Sequence, residues 1–226
     1  MNLFSFDTIL FDCDGVILNS NKIKTDAFAE SVRHYGKPSM EALVKYHVSN
    51  GGVSRYKKFD YFIEQILPKY RPDFPSPAKS ILSQQLLSSY SSHLELSLSQ
   101  CEVASSLDSL RLATNSSKWF IVSGGDQSEL RHLFNNRNLN YFFDGGIFGS
   151  PASKYEIITM LINQREIGSN SLFVGDSKLD YEVSSFFNLP FVFIRQWSEF
   201  KEIDIFASEH LVPIVDKVSD LASISF

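Results

Sequence analysis

The sequence predicts an α/β protein with a doubly wound parallel sheet, and two observations lead to this prediction. First, four short segments are almost wholly apolar: Thr8–Phe11, Trp119–Val122, Ser171–Val174 and Phe191–Ile194. Continuous rather than alternating apolarity is typical of strands buried on both faces of a parallel sheet. Second, small or acidic residues follow these segments and lead into helical patterns. Repetition of strand, polar turn and helix indicates an α/β domain.

Three predicted helices begin at recognisable N-caps. Asp126, Ser153 and Ser177 each precede a stretch of helical periodicity. Aspartate and serine side chains accept hydrogen bonds from the free N–H groups of a first helical turn, so each is a favourable cap. The capped helices are predicted to end at Asn135, Asn163 and Phe187. The sequence also predicts a short strand at His210–Val212 and a last helix near Asp216–Ile224.

The stretch from Asn19 to Ser92 differs, because it shows helical periodicity and no strand. Its predicted helices are Lys22–Tyr35, Met40–Tyr46, Tyr56–Leu67 and Ala78–His93. The breaks between them contain Gly36–Pro38, Gly51–Gly52 and the prolines Pro68, Pro72, Pro75 and Pro77. The expected organisation is a small all-helical domain, residues 19–93, inserted after the first strand of an α/β core formed by residues 1–18 and 94–226.

The composition of the chain argues against several classes of protein function. With 226 residues, 43% of them hydrophobic, the chain can build one large core and a smaller domain. A net charge of −5 without any block of basic residues argues against nucleic-acid binding. The N-terminus has no basic, apolar signal pattern, no apolar run approaches a membrane span, and the two cysteines cannot form a disulfide framework. A cytoplasmic protein, monomeric or dimeric, is the expectation.

Two carboxylates end the first predicted strand, in the run Asp12-Cys13-Asp14-Gly15. Ligands of open α/β sheets bind outside the carboxyl ends of the strands, and a glycine permits the tight turn that directs both acids there. Two negative charges so close together are unfavourable unless a cation neutralises them. An oxygen-rich set of ligands favours Mg²⁺. Taken alone, the run is also compatible with a polar β-turn.

Three later runs place polar groups at comparable positions. Ser123 and Gly124 follow the second apolar segment, where a hydroxyl, free N–H groups and a helix start form an anion-binding arrangement. Lys154 lies in a first helical turn, where the helix dipole disfavours a cation, so another use for it is expected. Asp176 follows a further apolar segment, and Asp180 lies one helical turn beyond it, facing the same site. Each of these runs alone is also compatible with an ordinary turn or helix start.

The order of the four motifs resembles the haloacid dehalogenase-like hydrolase superfamily. The pattern is D-x-D-G on the first strand, a serine after the second, a lysine at a helix start and G-D-x-x-x-D after a later strand. The resemblance covers effectively the whole chain, since the helical insertion is similar in position to the C1 cap of the phosphoglycolate phosphatase and β-phosphoglucomutase branch. It implies a Rossmann-like core, a helical cap and Mg²⁺-dependent chemistry on a small-molecule phosphate ester.

The resemblance also implies roles for the acidic residues. Asp12 is the expected nucleophile, which forms an aspartyl-phosphate, and Asp14 the expected general acid and base. The Asp12 carboxylate, the Asp14 main-chain carbonyl and Asp176 are the expected ligands of Mg²⁺, with Asp180 orienting them. Dehalogenases of this superfamily lack the second carboxylate of the first motif, so Asp14 favours phosphate esters.

The remaining roles concern the phosphoryl group and the cap. Ser123, Gly124 and Lys154 are expected to bind the phosphoryl oxygens, and Lys154 to offset the charge of the nucleophile. The run of Gly52 to Arg55 looks like the cap loop of β-phosphoglucomutase, so the planar donors of Arg55 are expected to read the substrate. Solvent-facing basic residues after a turn are the alternative.

Two departures favour plain hydrolysis over a phosphosugar mutase, which stays the alternative function. Lys24 stands where the mutase has a hinge histidine, and it is counted with the cap residues that set specificity. Gly175 stands where the mutase has an acidic residue. A phospho-aspartate receiver domain is a more remote alternative, because receivers are much shorter, lack the helical insertion and do not carry their aspartate on the first strand.

Overall fold

A six-stranded sheet organises the computed structural model, which describes residues 3–72, 74 and 78–224. Its strands are β1 Thr8–Phe11, β2 Lys118–Asp126, β3 Gly146–Ser150, β4 Ser171–Gly175, β5 Phe191–Ile194 and β6 Ile214–Val215. Their order is β3-β2-β1-β4-β5-β6, and every neighbouring pair is parallel. The strand order reverses between β1 and β4, so the doubly wound parallel fold predicted from the sequence is confirmed.

Helices cover both faces of this sheet and form the insertion that follows β1. They are α1 Asn21–Val32, α2 Lys37–Ser49, α3 Arg55–Tyr61, α4 Leu67–Tyr70, α5 Lys79–Gln100, α6 Leu107–Ala113, α7 Gln127–Asn136, α8 Lys154–Asn163, α9 Lys178–Phe186 and α10 Ile203–His210. A π-helical turn, Phe62–Ile66, joins α3 to α4. None of the helices in the described residues has the length and apolarity that a membrane crossing requires.

The strands are apolar throughout because the sheet is buried on both faces. In β1, Ile9 and Phe11 belong to one hydrophobic cluster, whereas Leu10 between them belongs to a second. Trp119 and Phe120 divide between the same two clusters. Successive side chains of a strand point to opposite faces, so each strand contributes to both layers of the core.

The helical insertion has a third hydrophobic cluster of its own. Its members come from α1 to α5, and the largest buried rings are Phe28, Phe59, Phe62 and Tyr90. Phe28 packs against Phe59 and Tyr90 with ring centroids 5.1 Å and 4.4 Å away. This separate cluster lets the insertion keep its shape without borrowing side chains from the sheet.

The three predicted N-caps are confirmed in the structure. Asp126 accepts hydrogen bonds from the N–H groups of Ser128 and Glu129, both at 3.0 Å. Ser153 and Ser177 each form a capping box with an acidic residue three positions later. The caps fix where α7, α8 and α9 begin, directly after the carboxyl ends of strands, and so position the side chains of these first turns.

Some predicted elements are wrong or absent. The predicted strand at His210–Val212 is instead the end of α10 and a left-handed turn at Leu211, and the edge strand is β6. The predicted last helix is a 3₁₀ segment, Val218–Ser223. The sequence also missed β3, α6 and α10; two of the five residues of β3 are glycines, which are poor strand formers. Pro68 does not end the helical segment, because it lies in the first turn of α4, and Pro75 and Pro77 lie outside the described residues.

Candidate active site

Three buried aspartates meet at the carboxyl ends of β1 and β4. Asp12 follows β1 and Asp176 follows β4, and the Asp12 N–H donates to the carbonyl of Val174 at 2.9 Å. Asp180 is fully buried in the first turn of α9. One carboxylate oxygen from each of the three aspartates lies within 4.8 Å of the others. This part of the sheet therefore offers a cluster of oxygen ligands at the switch point.

Lys154 supplies the positive charge nearest to this cluster. Its ammonium lies 2.9 Å from Asp12 Oδ1 and also pairs with Asp180 Oδ1, and its side chain is 1% exposed. The capping box at Ser153 and Glu156 stabilises the first turn of α8, so the turn tolerates a cation that the helix dipole disfavours. The structure thus brings the predicted lysine to the predicted nucleophile.

The titration of these aspartates reflects an excess of buried negative charge. Burial raises the pKa of Asp12 to about 7, although the charge of Lys154 opposes the rise. Burial, together with the charge of Asp12, raises the pKa of Asp176 well above its usual range. Three carboxylates share one ammonium, so an added divalent cation would lower the electrostatic energy of the group. The donor set therefore fits a hard cation such as Mg²⁺.

Asp14 lies apart from the three aspartates and has its own partners. Its Oδ2 accepts a hydrogen bond from the Lys24 ammonium at 2.5 Å, and its Oδ1 accepts one from the Ser20 hydroxyl at 2.6 Å. Burial alone would raise the pKa of Asp14, but the charge and hydrogen bond of Lys24, followed by the Ser20 hydrogen bond, lower it. The predicted specificity residue Lys24 thus contacts the predicted acid/base directly.

The turn after β1 requires a glycine at position 15. Gly15 has φ +78°, and a Cβ there would lie 2.2 Å from Asp176 Oδ2 and 2.3 Å from Asn21 Nδ2. The Asn21 amide donates to Asp176 Oδ2 at 2.7 Å and to the Trp197 carbonyl at 2.9 Å. Asn21 and Ser20, which orient the two carboxylates, were not predicted, since no spacing in the sequence relates them to the four motifs.

A family model described as haloacid dehalogenase-like hydrolase matches residues 9–194. The chain belongs to this family. The match includes all of β1 but its first residue, the helical insertion, and β2 to β5, and so contains every motif residue described above. The sequence-based prediction of a hydrolase of this family is therefore confirmed.

Solved structures share the fold of this hydrolase at low sequence identity. A predicted phosphoglycolate phosphatase from Haemophilus somnus 129pt aligns with a TM-score of 0.75 at 15% identity, over 98% of this chain and 99% of that one. A predicted phosphatase from Clostridium acetobutylicum aligns with a TM-score of 0.70 at 16% identity, over 96% of this chain and 97% of that one. β-Phosphoglucomutase from Clostridium difficile aligns with a TM-score of 0.66 at 17% identity, over 98% of this chain and 94% of that one. The sequence comparison with curated proteins gave no significant match.

The predicted anion-binding residues of the hydrolase lie at the end of β2. Ser123 is fully buried, and its Oγ accepts a hydrogen bond from the Gly125 N–H at 3.0 Å. Gly124 lies directly beneath the loop between α2 and α3, since a Cβ at Gly124 would be 2.1 Å from the Gly52 carbonyl oxygen. The backbone of the predicted cap residue Gly52 therefore contacts the end of β2. Position 124 has no room for a side chain, and Gly52 has φ +77°, which disfavours other residues.

A cavity of about 1410 Å³ lies between the helical insertion and the carboxyl ends of the strands. Asp12, Asp14 and Asp176 line it on the sheet side, and Lys24 and Arg55 are among the residues that line it on the helical side. Its size is sufficient for a phosphorylated metabolite.

Arg55 binds the α/β core rather than pointing freely into this cavity. One guanidinium nitrogen contacts Glu129 Oε2 at 2.5 Å, and the other donates to Ser91 Oγ at 3.1 Å. The guanidinium also lies 5.4 Å from the Tyr90 ring centroid. The neighbouring Tyr56 hydroxyl donates to Asp126 Oδ2 at 2.7 Å. The start of α3 is therefore tied to the start of α7, and sequence reasoning did not identify Glu129 as a partner.

We predict that Gly124→Ala weakens both folding and activity. The added methyl group meets backbone atoms of Gly52, which cannot rotate away, so the helical insertion must shift from the sheet edge. The expected loss is about 1–3 kcal/mol of unfolding free energy. Chemical denaturation measures it. The matched control is Gly168→Ala, where a Cβ meets nothing within 4 Å; equal effects of the two substitutions would contradict the close approach.

We predict that Arg55 and Glu129 are energetically coupled. Arg55→Ala and Glu129→Ala each break the same ion pair, so the double variant is expected to lose less stability than the sum of the single losses, by about 1 kcal/mol. A double-mutant cycle on the unfolding free energy measures the difference. Additive losses would mean that the contact between α3 and α7 contributes nothing measurable.

Proposed function

We propose that this hydrolase is a Mg²⁺-dependent phosphatase that acts on a small phosphorylated metabolite through an aspartyl-phosphate on Asp12. The observation that carries the proposal is the setting of Asp12. Its carboxylate lies at the carboxyl end of β1. A buried ammonium is 2.9 Å away, and two further aspartates beside it favour a bound cation. Phosphoryl transfer depends on positioned positive charge more than on bond-making groups, and this setting provides it.

The expected metal ligands are the carboxylates of Asp12 and Asp176 and the main-chain carbonyl of Asp14. When bound, Mg²⁺ neutralises charge on the transferring phosphoryl group. Asp180 supports the set: its Oδ2 accepts hydrogen bonds from the Ser177 N–H at 3.1 Å and the Ser177 hydroxyl at 2.6 Å. Its other oxygen pairs with Lys154, so Asp180 orients the lysine as well as the acidic cluster.

In the first step, an Asp12 oxygen forms a bond to phosphorus while the bond from phosphorus to the leaving oxygen breaks. Asp14 gives its proton to the leaving oxygen, which departs as an alcohol. In the structure Lys24 keeps Asp14 ionised, so Asp14 takes up a proton from solvent water before it acts as the acid. The Lys24 ammonium, which donates to Asp14 Oδ2 at 2.5 Å, fixes the orientation of this carboxylate.

In the second step, water attacks the phosphorus and gives a proton to Asp14. The bond between phosphorus and the Asp12 oxygen breaks, which releases phosphate and restores the carboxylate. Lys154, the hydroxyl of Ser123 and the N–H of Gly124 hold the phosphoryl oxygens through both steps. Residues 19–93 act as a cap that excludes water from the cavity, as their position over the sheet edge suggests.

Position 175 favours hydrolysis over the phosphosugar mutase alternative. A Cβ at Gly175 would lie 2.4 Å from the Cβ of Asp180, so an acidic side chain cannot occupy that position while Asp180 holds its own. Asp180 therefore takes the place of the acidic residue that the mutase carries just before its metal aspartate.

The experiment is a panel of phosphorylated metabolites and an aryl phosphate, assayed for free phosphate with Mg²⁺ and with a chelator. We expect phosphate release that the chelator abolishes and Mg²⁺ restores. β-Glucose 1-phosphate is included, and glucose 6-phosphate is followed beside free phosphate. Isomer formation without phosphate release would replace the phosphatase proposal by the mutase.

A further inference from the structure

A buried lysine without a counterion lies on the helical side of the cavity. Lys58, in α3, is 2% exposed and lines the cavity. Within the described parts of the chain, its ammonium forms no ion pair, and its hydrogen bond is to His47 Nδ1 at 2.7 Å. Burying an ammonium without a negative partner is costly, so its retention in this position calls for an explanation.

His47 completes a preformed pair of donors. Its ring is 8% exposed and lies 4.4 Å from the Phe28 ring, and Phe28 also lies 5.5 Å from the Lys58 ammonium. Burial and the charges of Lys58 and Lys24 hold the pKa of His47 well below its usual range, so the imidazole is neutral. A charged Lys58 can only donate, so the His47 Nδ1 then accepts and the proton on Nε2 is a second donor.

Lys24 and Arg55 also line the cavity, but they differ from Lys58 because each has an acidic partner. Lys24 pairs with Asp14 and Arg55 pairs with Glu129. Burial, reinforced by the charge of Lys24, lowers the pKa of Lys58 to about 7, although the more distant charges of Asp14 and Glu199 oppose the shift. An anionic group bound beside Lys58 would supply the missing counterion and hold the lysine in its charged form.

We propose that Lys58 and His47 form a subsite for an anionic group on the leaving alcohol. The substrate is then a phosphate monoester whose alcohol carries a second negative charge, either a carboxylate or another phosphate. This inference rests on the proposed phosphatase function, and it assigns to Lys58 the discrimination that the sequence suggested for Arg55, which is already paired with Glu129 and Ser91.

Binding to the full-length Asp12→Asn variant tests the subsite without turnover. Calorimetry compares two matched pairs: 3-phosphoglycerate with glycerol 3-phosphate, and glucose 1,6-bisphosphate with glucose 6-phosphate. We expect at least one member with the additional anionic group to bind about tenfold or more tighter than its partner, since a charge-assisted hydrogen bond is gained. Preference in the first pair identifies a carboxylate, and preference in the second identifies a second phosphate.

Lys58→Met, added to the same variant, is expected to remove this preference. Lys57→Met is the matched control, because Lys57 is the exposed neighbour of Lys58 and its loss should leave the preference intact. Lys58→Met is also expected to raise Tm of the unliganded protein by roughly 2–4 °C, because it removes an uncompensated buried charge. A lysine needed only for folding would lower Tm instead.

Equal affinities within both pairs, or a preference that survives Lys58→Met, would overturn the subsite. Because this assay reads binding, its result is independent of catalysis. If the wild-type protein hydrolyses an aryl phosphate but the Asp12→Asn variant shows no preference for the additional anionic group, the subsite proposal is wrong and the phosphatase proposal is supported. If the binding assay shows the preference but no ester releases phosphate, the phosphatase proposal is wrong and the subsite proposal is supported.

Discussion

Asp12→Asn is expected to abolish phosphate release at every Mg²⁺ concentration. The amide has no charged oxygen to attack phosphorus, and Asp180, the other carboxylate beside Lys154, is held in place by the Ser177 N–H and hydroxyl. Loss of the nucleophile is expected to lower kcat by at least about 10⁴-fold. Steady-state assays with an aryl phosphate measure it, because a good leaving group minimises the contribution of the acid.

Asp26→Asn is the matched control, because it makes the same substitution at an exposed aspartate of α1. The Asp12 variant is expected to stay folded, because burial already disfavours the charge that the substitution removes. Turnover like that of the wild type by a folded Asp12→Asn protein would exclude Asp12 as the nucleophile.

Lys154→Met is expected to cause the second largest loss, about 10³-fold in kcat/KM. Without the ammonium, Asp12 and Asp180 are buried side by side with no positive partner, and the phosphoryl oxygens lose their nearest donor. The fall should appear in kcat as well as in KM, because the charge of the phosphoryl group is redistributed in the transition state.

Lys37→Met is the control for Lys154→Met, as the Lys37 side chain is 79% exposed. A Lys154→Met protein within threefold of wild-type kcat/KM would contradict the placement of this lysine at the reacting group. Raising Mg²⁺ is not expected to rescue the variant, since the aspartates that bind the metal are distinct from the group that was lost.

The residues that follow strands could be predicted from sequence, because a parallel sheet brings all its carboxyl ends to one edge. This logic placed Asp12 and Asp176 together although they lie 164 positions apart in the chain, and the N-caps placed Lys154 and Asp180 in first helical turns at the same end of the sheet. The apolar strands were equally readable, since burial on both faces leaves no alternation to confuse with a surface strand.

The residues that support these groups could not be predicted. Asn21 reaches Asp176 from 155 positions away, and Arg55 meets Glu129 from 74 positions away. Such contacts depend on how the helical insertion lies over the sheet, which no local pattern encodes. His47 likewise follows no motif, yet it is the hydrogen-bond partner of Lys58. Sequence reasoning therefore predicted the side chains at the carboxyl ends of the strands better than the side chains that support them.

The most direct test of the account is to trap the phosphoryl-enzyme. Wild-type protein is mixed with Mg²⁺ and a rapidly hydrolysed ester, quenched in acid within the first turnover, and digested for peptide mass mapping. The account predicts one phosphoryl group on the peptide that contains Asp12, located at that aspartate, and none in the Asp12→Asn protein. Phosphate release with the phosphoryl group on another side chain, or with no phosphoryl-enzyme at any quench time, would contradict it.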